Sequence, residues 1–475
     1  MKYIKSYSQL LIMLIICNTA FAQNDQDLTQ VFPLNHYSQN VDDWIRPTDN
    51  NYNSPLTTTI YQQEQLKKIY QHYYSSADND LSPWSKNFVL ATINGINGND
   101  SNNIVGQEID ILNNFYKKIG IVFGLNYRPY SSPWFDNIAN NMNLLELNLE
   151  YDPKQRAMAV NNTLLRILPT NDPLFYSSKI AGQGYPFDQL QETAVYIGTP
   201  LYILNVSKDQ SKYLVITPDA IGWIDANSVG YTSNKFIDTW QQYAQKNGII
   251  AIIAKTNIRR NMIYNGTTLP LISTTNDSTF KIAVPILDKD FNAQLVVTTV
   301  DNNSAVKMPL KLTPHNLATM IKNQIGEQYG WGSSIFKYDC SAELKALFTP
   351  FGIYLPRNSQ YQWTAGNKVI NLDNNTAQER EQYLLANGKK MLTLVQIPGH
   401  IFLYIGKYTN LNPDPKAIVA ISYQNIWGLR DPDNTYRSII GGSSIIPLLH
   451  SYPEDNNLIS FYNDQRKIFR LIFLV

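Results

Sequence analysis

Along the chain the apolar positions change their spacing twice, and each change marks a different kind of structure. Leu66, Ile69, Tyr70 and Tyr73 fall at helical spacing, and Ile109, Leu112, Tyr116 and Ile119 repeat it. Ser82-Pro83-Trp84 and Ser132-Pro133-Trp134 read as turns around these helices. Ahead of them a polar, Asn- and Gln-rich stretch to about Ser54 predicts extended chain. Residues 23–163 are therefore expected to form a mainly helical domain. From about Leu164 short strands take over: Val195-Tyr196-Ile197, Leu201 to Leu204, Tyr213 to Ile216 and Gly222-Trp223-Ile224, separated by turn clusters. A second run follows at Ile249 to Ala254, Thr268 to Ile272, Lys281 to Leu287 and Ala293 to Val300. Two consecutive small β-barrels are predicted, over 164–235 and 236–310, with no residue-level repeat between them. The last part, 311–475, mixes both patterns. Leu317 to Ile325 is amphipathic, and a glycine-rich loop runs from Tyr329 to Ser334. Asp339-Cys340-Ser341 then opens a helix that presents Leu344, Leu347, Phe348 and Phe351 on one face and stops at Gly352. The overall expectation is an α+β multidomain chain.

Composition narrows the function. Hydrophobic residues make up 44% of the 475 positions and charged residues 16%, enough apolar material for packed cores. The formal charge is +1, with no basic footprint for nucleic acid and no basic helix for anionic lipid. Residues 1–22 read as a cleavable signal peptide: Lys2 and Lys5, an apolar run from Leu10 to Cys17, and Ala20-Phe21-Ala22 as cleavage site. The run is too short to span a bilayer. Ile16 stands where a lipidation signal wants a small residue, so no anchor is expected. Cleavage takes two lysines and no acid, which turns the charge to −1. It also removes Cys17, leaving Cys340 as the lone cysteine of an exported protein, periplasmic or secreted. Such a thiol is a dimer linkage, an inert buried residue or a reactive group.

The position of Cys340 favours the third reading. It stands in the first turn of its helix, where unpaired N–H groups and the helix dipole favour a thiolate. A thiolate nucleophile needs a base, and His36, His72, His315, His400 and His450 are available. His400 follows Pro398-Gly399 and begins the apolar run to Ile405, so a strand would hold it rigidly at the mouth of a cleft. A polar loop centred near Asn412 joins that strand to a second one, Ala417 to Gln424. An antiparallel hairpin about that centre sets His400 opposite Gln424, within about two residues of register. The Gln424 amide can then accept an imidazole N–H and aim the other ring nitrogen at the thiol, the nucleophile–base–orienter arrangement. Read alone, Gln424 is an ordinary strand-end polar residue. No His, Asp or Glu cluster has zinc-ligand spacing, so neither metal nor cofactor is expected.

Several short runs agree in order and spacing with one family. Tyr329-x-Trp331-Gly332, Asp339-Cys340-Ser341, Gly352-Ile353-x-Leu355-Pro356-Arg357-x-Ser359-x-x-Gln362 and Gly399-His400-Ile401-x-x-Tyr404-Ile405-Gly406 resemble the NlpC/P60 papain-like cysteine peptidases of bacterial cell walls. Upstream, Pro169-Thr170-x-x-Pro173-x-Phe175 and Pro186-Phe187-Asp188-x-Leu190-Gln191 resemble the first bacterial SH3-like domain of a subgroup. That subgroup has an N-terminal helical domain, two SH3-like barrels and a C-terminal papain-like α+β peptidase domain. The resemblance implies Cys340 as nucleophile, His400 as base and Gln424 in the family's third position, often His. It implies substrate contacts from Tyr329, Trp331, Asp339, Ser341, Arg357, Asn358 and Ser359, with Asp339 meeting a free peptide amine. Asn358 departs from the family's usual Asp. Each binding residue also has a plain structural alternative: Trp331 as packing, Arg357 serving an internal carboxylate, Asp339 as helix cap. The implied function is hydrolysis of γ-D-glutamyl bonds to a diamino acid in peptidoglycan stem peptides or muropeptides, through a Cys thioester. An amidase or acyltransferase on the same scaffold, or a non-catalytic wall-binding protein, are the alternatives. The sequence specifies no oligomer.

Overall fold

The computed structural model describes residues 28–95, 103–147, 149–275, 278–409, 417–463 and 468–475. The expected signal peptide, with Lys2, Lys5, Cys17 and Ala20 to Ala22, lies outside the described residues, as does the loop around Asn412. Among the described residues no helix is long and apolar enough to cross a membrane. The architecture is α+β and multidomain, with a helical N-terminal part, small β-barrels and a C-terminal mixed domain.

The helical spacings are realised at Thr59–Tyr73 and Ile104–Tyr116, capped by Thr58 and Asn103, while Ile119 falls beyond the second helix. Ser132-Pro133-Trp134 is not a turn but the start of a helix, Ser132–Asn141. Proline is tolerated in the first helical turn because the N–H it lacks would have no partner there. The polar leader also has a defined place. Thr29–Val31 joins the C-terminal sheet as a parallel edge strand beside Arg437–Leu448. Gln39 fastens it further, donating to the Ile445 carbonyl at 2.9 Å and accepting the Ile445 N–H at 2.9 Å. Pairing in this way covers an otherwise open sheet edge.

The first barrel sheet runs, in spatial order, Gln191–Val195, Thr163–Arg166, Ile221–Asp225, Lys212–Ile216, Pro200–Val206, Arg156–Ala159 and Val229–Tyr231. It recruits Arg156–Ala159 from ahead of residue 164. The strand expected at Val195-Tyr196-Ile197 ends at Val195, because a turn closes there with Thr199 N–H on the Tyr196 carbonyl at 3.1 Å. The second sheet comprises Ala293–Asp301, Thr279–Leu287, Thr268–Thr275, Ile249–Ile252 and Ala305–Lys307. Between the sheets lies a helix the strand pattern did not predict, Asn234–Asn247, capped by Ser233. It buries Phe236, Trp240 and Ala244, spaced four apart, in the core of the second barrel.

The C-terminal domain holds the site. Its sheet runs Thr29–Val31, Arg437–Leu448, Val419–Arg430, His400–Tyr408, Thr393–Ile397, Arg470–Phe473 and Lys368–Asn371. The helix Cys340–Phe348 packs across the His400 and Val419 strands, burying Leu344, Leu347 and Phe348. Each such side chain contributes about 1.5–3 kcal/mol by leaving water. The strand from His400 is buried from Ile401 to Gly406, as a central strand covered on both faces must be. Cys340 and His400 are thus carried on two rigid, core-packed elements.

Candidate active site

Asp339 is the N-cap of the Cys340 helix, its Oδ1 accepting the Ala342 N–H at 2.9 Å. Cys340, the first helical residue, is 7% exposed. The backbone N–H groups of Ile401 and Ser341 lie near enough to its sulfur to favour the thiolate. Ile401 is the residue after His400, so this contact brings the start of the His400 strand onto the thiol.

The third member sits deeper. His400 Nε2 lies 2.6 Å from Gln424 Oε1. The amide orientation follows from its neighbours. Ser422 Oγ donates to the Ile446 carbonyl at 2.9 Å and accepts from Gln424 Nε2 at 2.9 Å, so Oε1 is the atom left facing the imidazole. Nε2 of His400 therefore carries the proton, and Nδ1 carries the lone pair. The register lies two residues from the centre of the expected range, at its stated margin. Leu403 faces Tyr423 and Tyr404 faces Ser422, which puts Gln424 opposite Phe402. His400 reaches Gln424 diagonally, as neighbours on one face of an antiparallel pair can.

Electrostatics modify the expectation of a preformed thiolate. Burial, with the Asp339 charge second, pushes the Cys340 thiol from 9.0 up to about 12. The two N–H contacts and Arg357 pull the other way without prevailing. Burial likewise lowers His400 from 6.5 to about 4, against the opposing pull of Gln424 and Asp339. In the free protein both groups are neutral at pH 7, because desolvation penalises each charged form.

Arg357 is the hub of the neighbouring polar cluster. Its guanidinium meets Asp339 twice, Nη1–Oδ1 at 3.0 Å and Nη2–Oδ2 at 2.7 Å. It also donates to Ser341 Oγ at 3.0 Å, Ser333 Oγ at 3.0 Å and, across the domain boundary, Thr193 Oγ1 at 2.7 Å. Arg357 thus serves an internal carboxylate, and both oxygens of Asp339 are engaged from within. Ser359 contributes its backbone carbonyl to Gln396 Nε2 at 2.7 Å. Asn358 is exposed, its Oδ1 accepting the Gln360 N–H at 2.8 Å. Asn358 and Arg357 line a separate hollow with Glu192, Glu108 and Asp219, away from the imidazole.

Tyr329 and Trp331 do stand with His400, in a cleft of about 1430 Å³. Two residues missed as wall elements complete it. Phe187 of the first barrel sits 5.3 Å from Trp331, 5.9 Å from Trp427 and 6.5 Å from Tyr329, centroid to centroid. Trp331 Nε1 donates to the Asp188 carbonyl at 3.1 Å, fixing the barrel to the loop. The first barrel therefore supplies part of the cleft wall. Phe187 lies in a run that resembles the SH3-like domain, and only tertiary structure aims it and Trp427 here. Among the described residues no group of three or more His, Cys, Asp or Glu side chains is placed to hold a metal ion.

Comparisons with known proteins follow the same division of the chain. The NlpC/P60 family model matches residues 326–431, and the SH3 domain model of SH3b1 type matches residues 173–225. Among solved structures, an NlpC/P60 endopeptidase from Photobacterium damselae subsp. piscicida is 26% identical, with a TM-score of 0.78, over 94% of this chain and 99% of its own. The peptidoglycan hydrolase RipB from Mycobacterium tuberculosis is 17% identical over 31% of this chain and 64% of its own, with a TM-score of 0.18. No curated protein matches the sequence.

Proposed function

Starting from a chain that carries an NlpC/P60 domain behind an SH3b domain, we propose that it is a cell-wall cysteine endopeptidase cutting γ-D-glutamyl bonds to a diamino acid in short peptidoglycan stem peptides. One observation carries the reading: the buried Cys340 thiol lies beside the N–H of Ile401, the residue after a histidine whose Nε2 is held by Gln424 Oε1 at 2.6 Å. In the proposed reaction Cys340 Sγ attacks the carbonyl carbon while its proton passes to His400 Nδ1. Backbone N–H groups at the helix start, that of Cys340 included, hold the oxyanion. His400 returns the proton to the leaving amine, the C–N bond breaks, and a thioester remains. Water, deprotonated by His400, then hydrolyses the thioester and frees the γ-carboxylate.

The wall of Phe187, Trp331, Tyr329 and Trp427 supports short substrates with a free end over an uninterrupted glycan-linked strand. Asp339, already bound to Arg357, is proposed to shape the amine end of the site rather than to offer a free carboxylate. Signal-peptide export, and the wall as the place of action, are part of the same proposal. The test is digestion of purified muropeptides with mass spectrometry of the products. The parent is expected to release the peptide that ends in γ-D-glutamate, and Cys340→Ala is expected to release none. An unchanged product pattern in Cys340→Ala would sink the thiol mechanism.

A further inference from the structure

On the nucleophile helix, outside the lining of the cleft, lies a fully buried carboxylate. Glu343 follows Cys340 by one helical turn and has no exposed surface. It accepts hydrogen bonds from three side chains on two strands. Tyr423 Oη and Ser443 Oγ donate to its Oε1, and Asn425 Nδ2 donates to its Oε2 at 2.5 Å. Tyr423 and Asn425 flank Gln424 on either side in sequence. Side chains alternate along a strand, so when Gln424 faces His400 its two neighbours face the helix. Asn425 Nδ2 also donates to the Tyr338 carbonyl at 3.0 Å, just ahead of the nucleophile.

We infer that Glu343 is a positioning residue, whose carboxylate clamps the Gln424 strand and its neighbour to the nucleophile helix and so sets the spacing of Cys340, His400 and Gln424. The inference rests on the thiol-peptidase reading of the site. The position asks for an explanation on physical grounds. A buried carboxylate with three donors adds little net stability over an apolar side chain of the same shape, whereas its hydrogen bonds fix one strand register against one helix rotation. Neither Leu344 nor Leu347, packed nearby, can supply that directionality.

The clamp also carries a pH dependence. Burial raises Glu343 from 4.5 to about 7, the three donors opposing this only in part. The titratable groups facing it are Tyr423 on the Gln424 strand, and Tyr338 and Glu327 on the segment before the helix. Glu327 is itself held by Lys255 and Lys337. Above pH 7 the ionised carboxylate accepts all three bonds. Below it the added proton removes one acceptor site: on Oε2 it faces the Asn425 donor, and on Oε1 it forces the Tyr423 or Ser443 hydroxyl to turn and accept, so the clamp loosens. Activity therefore declines through about pH 7 although His400 stays neutral down to about 4.

The experiment compares the parent with Glu343→Gln and Tyr423→Phe in the full chain, using muropeptide turnover from pH 4 to 9. Alkylation of Cys340 by iodoacetamide over the same range is a second readout. Glu343→Gln is expected to lower kcat about tenfold at pH 8 with KM within about twofold, and to abolish the limb near pH 7. Tyr423→Phe, which keeps the carboxylate, is expected to lower kcat and keep the limb. If Glu343→Gln does not fold by its melting transition, loss of kcat at unchanged KM in Tyr423→Phe carries the inference. An unchanged kcat in Tyr423→Phe overturns it. A limb near pH 7 that persists in folded Glu343→Gln also overturns it. The alkylation arm separates the two claims. If the parent cleaves no muropeptide, the peptidase reading fails, while a pH-dependent alkylation step near 7 that Glu343→Gln removes still supports the clamp.

Discussion

Replacing Gln424 by Ala tests the orienter directly. The side chain is 1% exposed, and its Oε1 accepts the His400 Nε2 proton at 2.6 Å. When His400 takes the thiol proton it becomes a cation, and the same hydrogen bond then joins a charged donor to an amide oxygen. A bond of that kind is worth about 1.5–3 kcal/mol. At about 1.4 kcal/mol per decade, its loss lowers kcat roughly 10- to 100-fold. KM should change little, because Gln424 lies behind the imidazole and does not line the cleft. Gln424→Asn should behave like Gln424→Ala, since a chain shortened by about 1.5 Å cannot span the gap. Gln424→His offers a ring-nitrogen acceptor of similar reach and should recover most of the rate. The assay is steady-state muropeptide cleavage followed by mass spectrometry, with urea unfolding to confirm that each variant is folded. A kcat for Gln424→Ala within about twofold of the parent would refute the argument. It would mean that packing alone orients the ring, Phe402 at 5.8 Å and Phe461 at 6.3 Å being the groups that could do so.

Three further outcomes follow from the same geometry. Arg357→Met leaves the Asp339 carboxylate buried without its cation and should cost about 3–5 kcal/mol in urea unfolding; adding Asp339→Asn should recover part of it, and a single-variant cost below about 1 kcal/mol would contradict the hub role. Stability should fall with acid through His400: its folded pKa of about 4 lies below the unfolded 6.5, so between these values only the unfolded chain binds the proton. The contribution is whole above pH 6.5 and lost by pH 4, about 3 kcal/mol in size, and a parent-minus-His400→Gln difference that is flat from pH 7 to 4 would rule it out. Phe187→Ala removes the barrel's ring from the cleft wall, so the ratio of kcat/KM for long, glycan-linked peptides over free tripeptides should rise about tenfold, and an unchanged ratio would remove the barrel from substrate selection.

Residues whose positions are set by local sequence were readable in advance. Cys340 at a helix start and His400 at a strand start follow from capping and periodicity, and both elements are found where those patterns put them. The mixed architecture was readable for the same reason: each change of apolar period marks a change of element type. What escaped depends on contacts between distant parts of the chain. The helix Asn234–Asn247 shows its Phe236, Trp240, Ala244 spacing plainly, but sits between strand runs that suggested continuous β structure. Arg357 names no partner in sequence; its five bonds reach Asp339, Ser341, Ser333 and Thr193, the last in another domain. The hairpin register hinged on a loop centre, so it was legible only to within about two residues, and the β-bulge between Tyr404 and Gly406 was not legible at all. Glu343 sat beside the apolar helix face, and the sequence pattern offered no hint of its three donors.

The state of the thiol shows which physical effect governs the site. A helix N-terminus stabilises an anion by about 0.3–1 kcal/mol, up to about 2 in partly buried geometry. Burial and Asp339 move Cys340 from 9.0 to about 12, which corresponds to about 4 kcal/mol in the opposite direction. Desolvation therefore wins in the free protein, and the helix dipole acts instead on the charge that forms when a carbonyl is attacked. A neutral, buried thiol is a poor target for oxidants, since oxidation follows thiolate character and exposure. Cys340 is thus protected until a substrate supplies the electrophile, and in the proposed reaction its proton then passes to the neutral His400 Nδ1. Because thiol and imidazole both start uncharged, the rate depends on how well that base is aimed when the transfer occurs. That places the demand on the two contacts behind the site, Gln424 on the ring and Glu343 on the strand that carries Gln424.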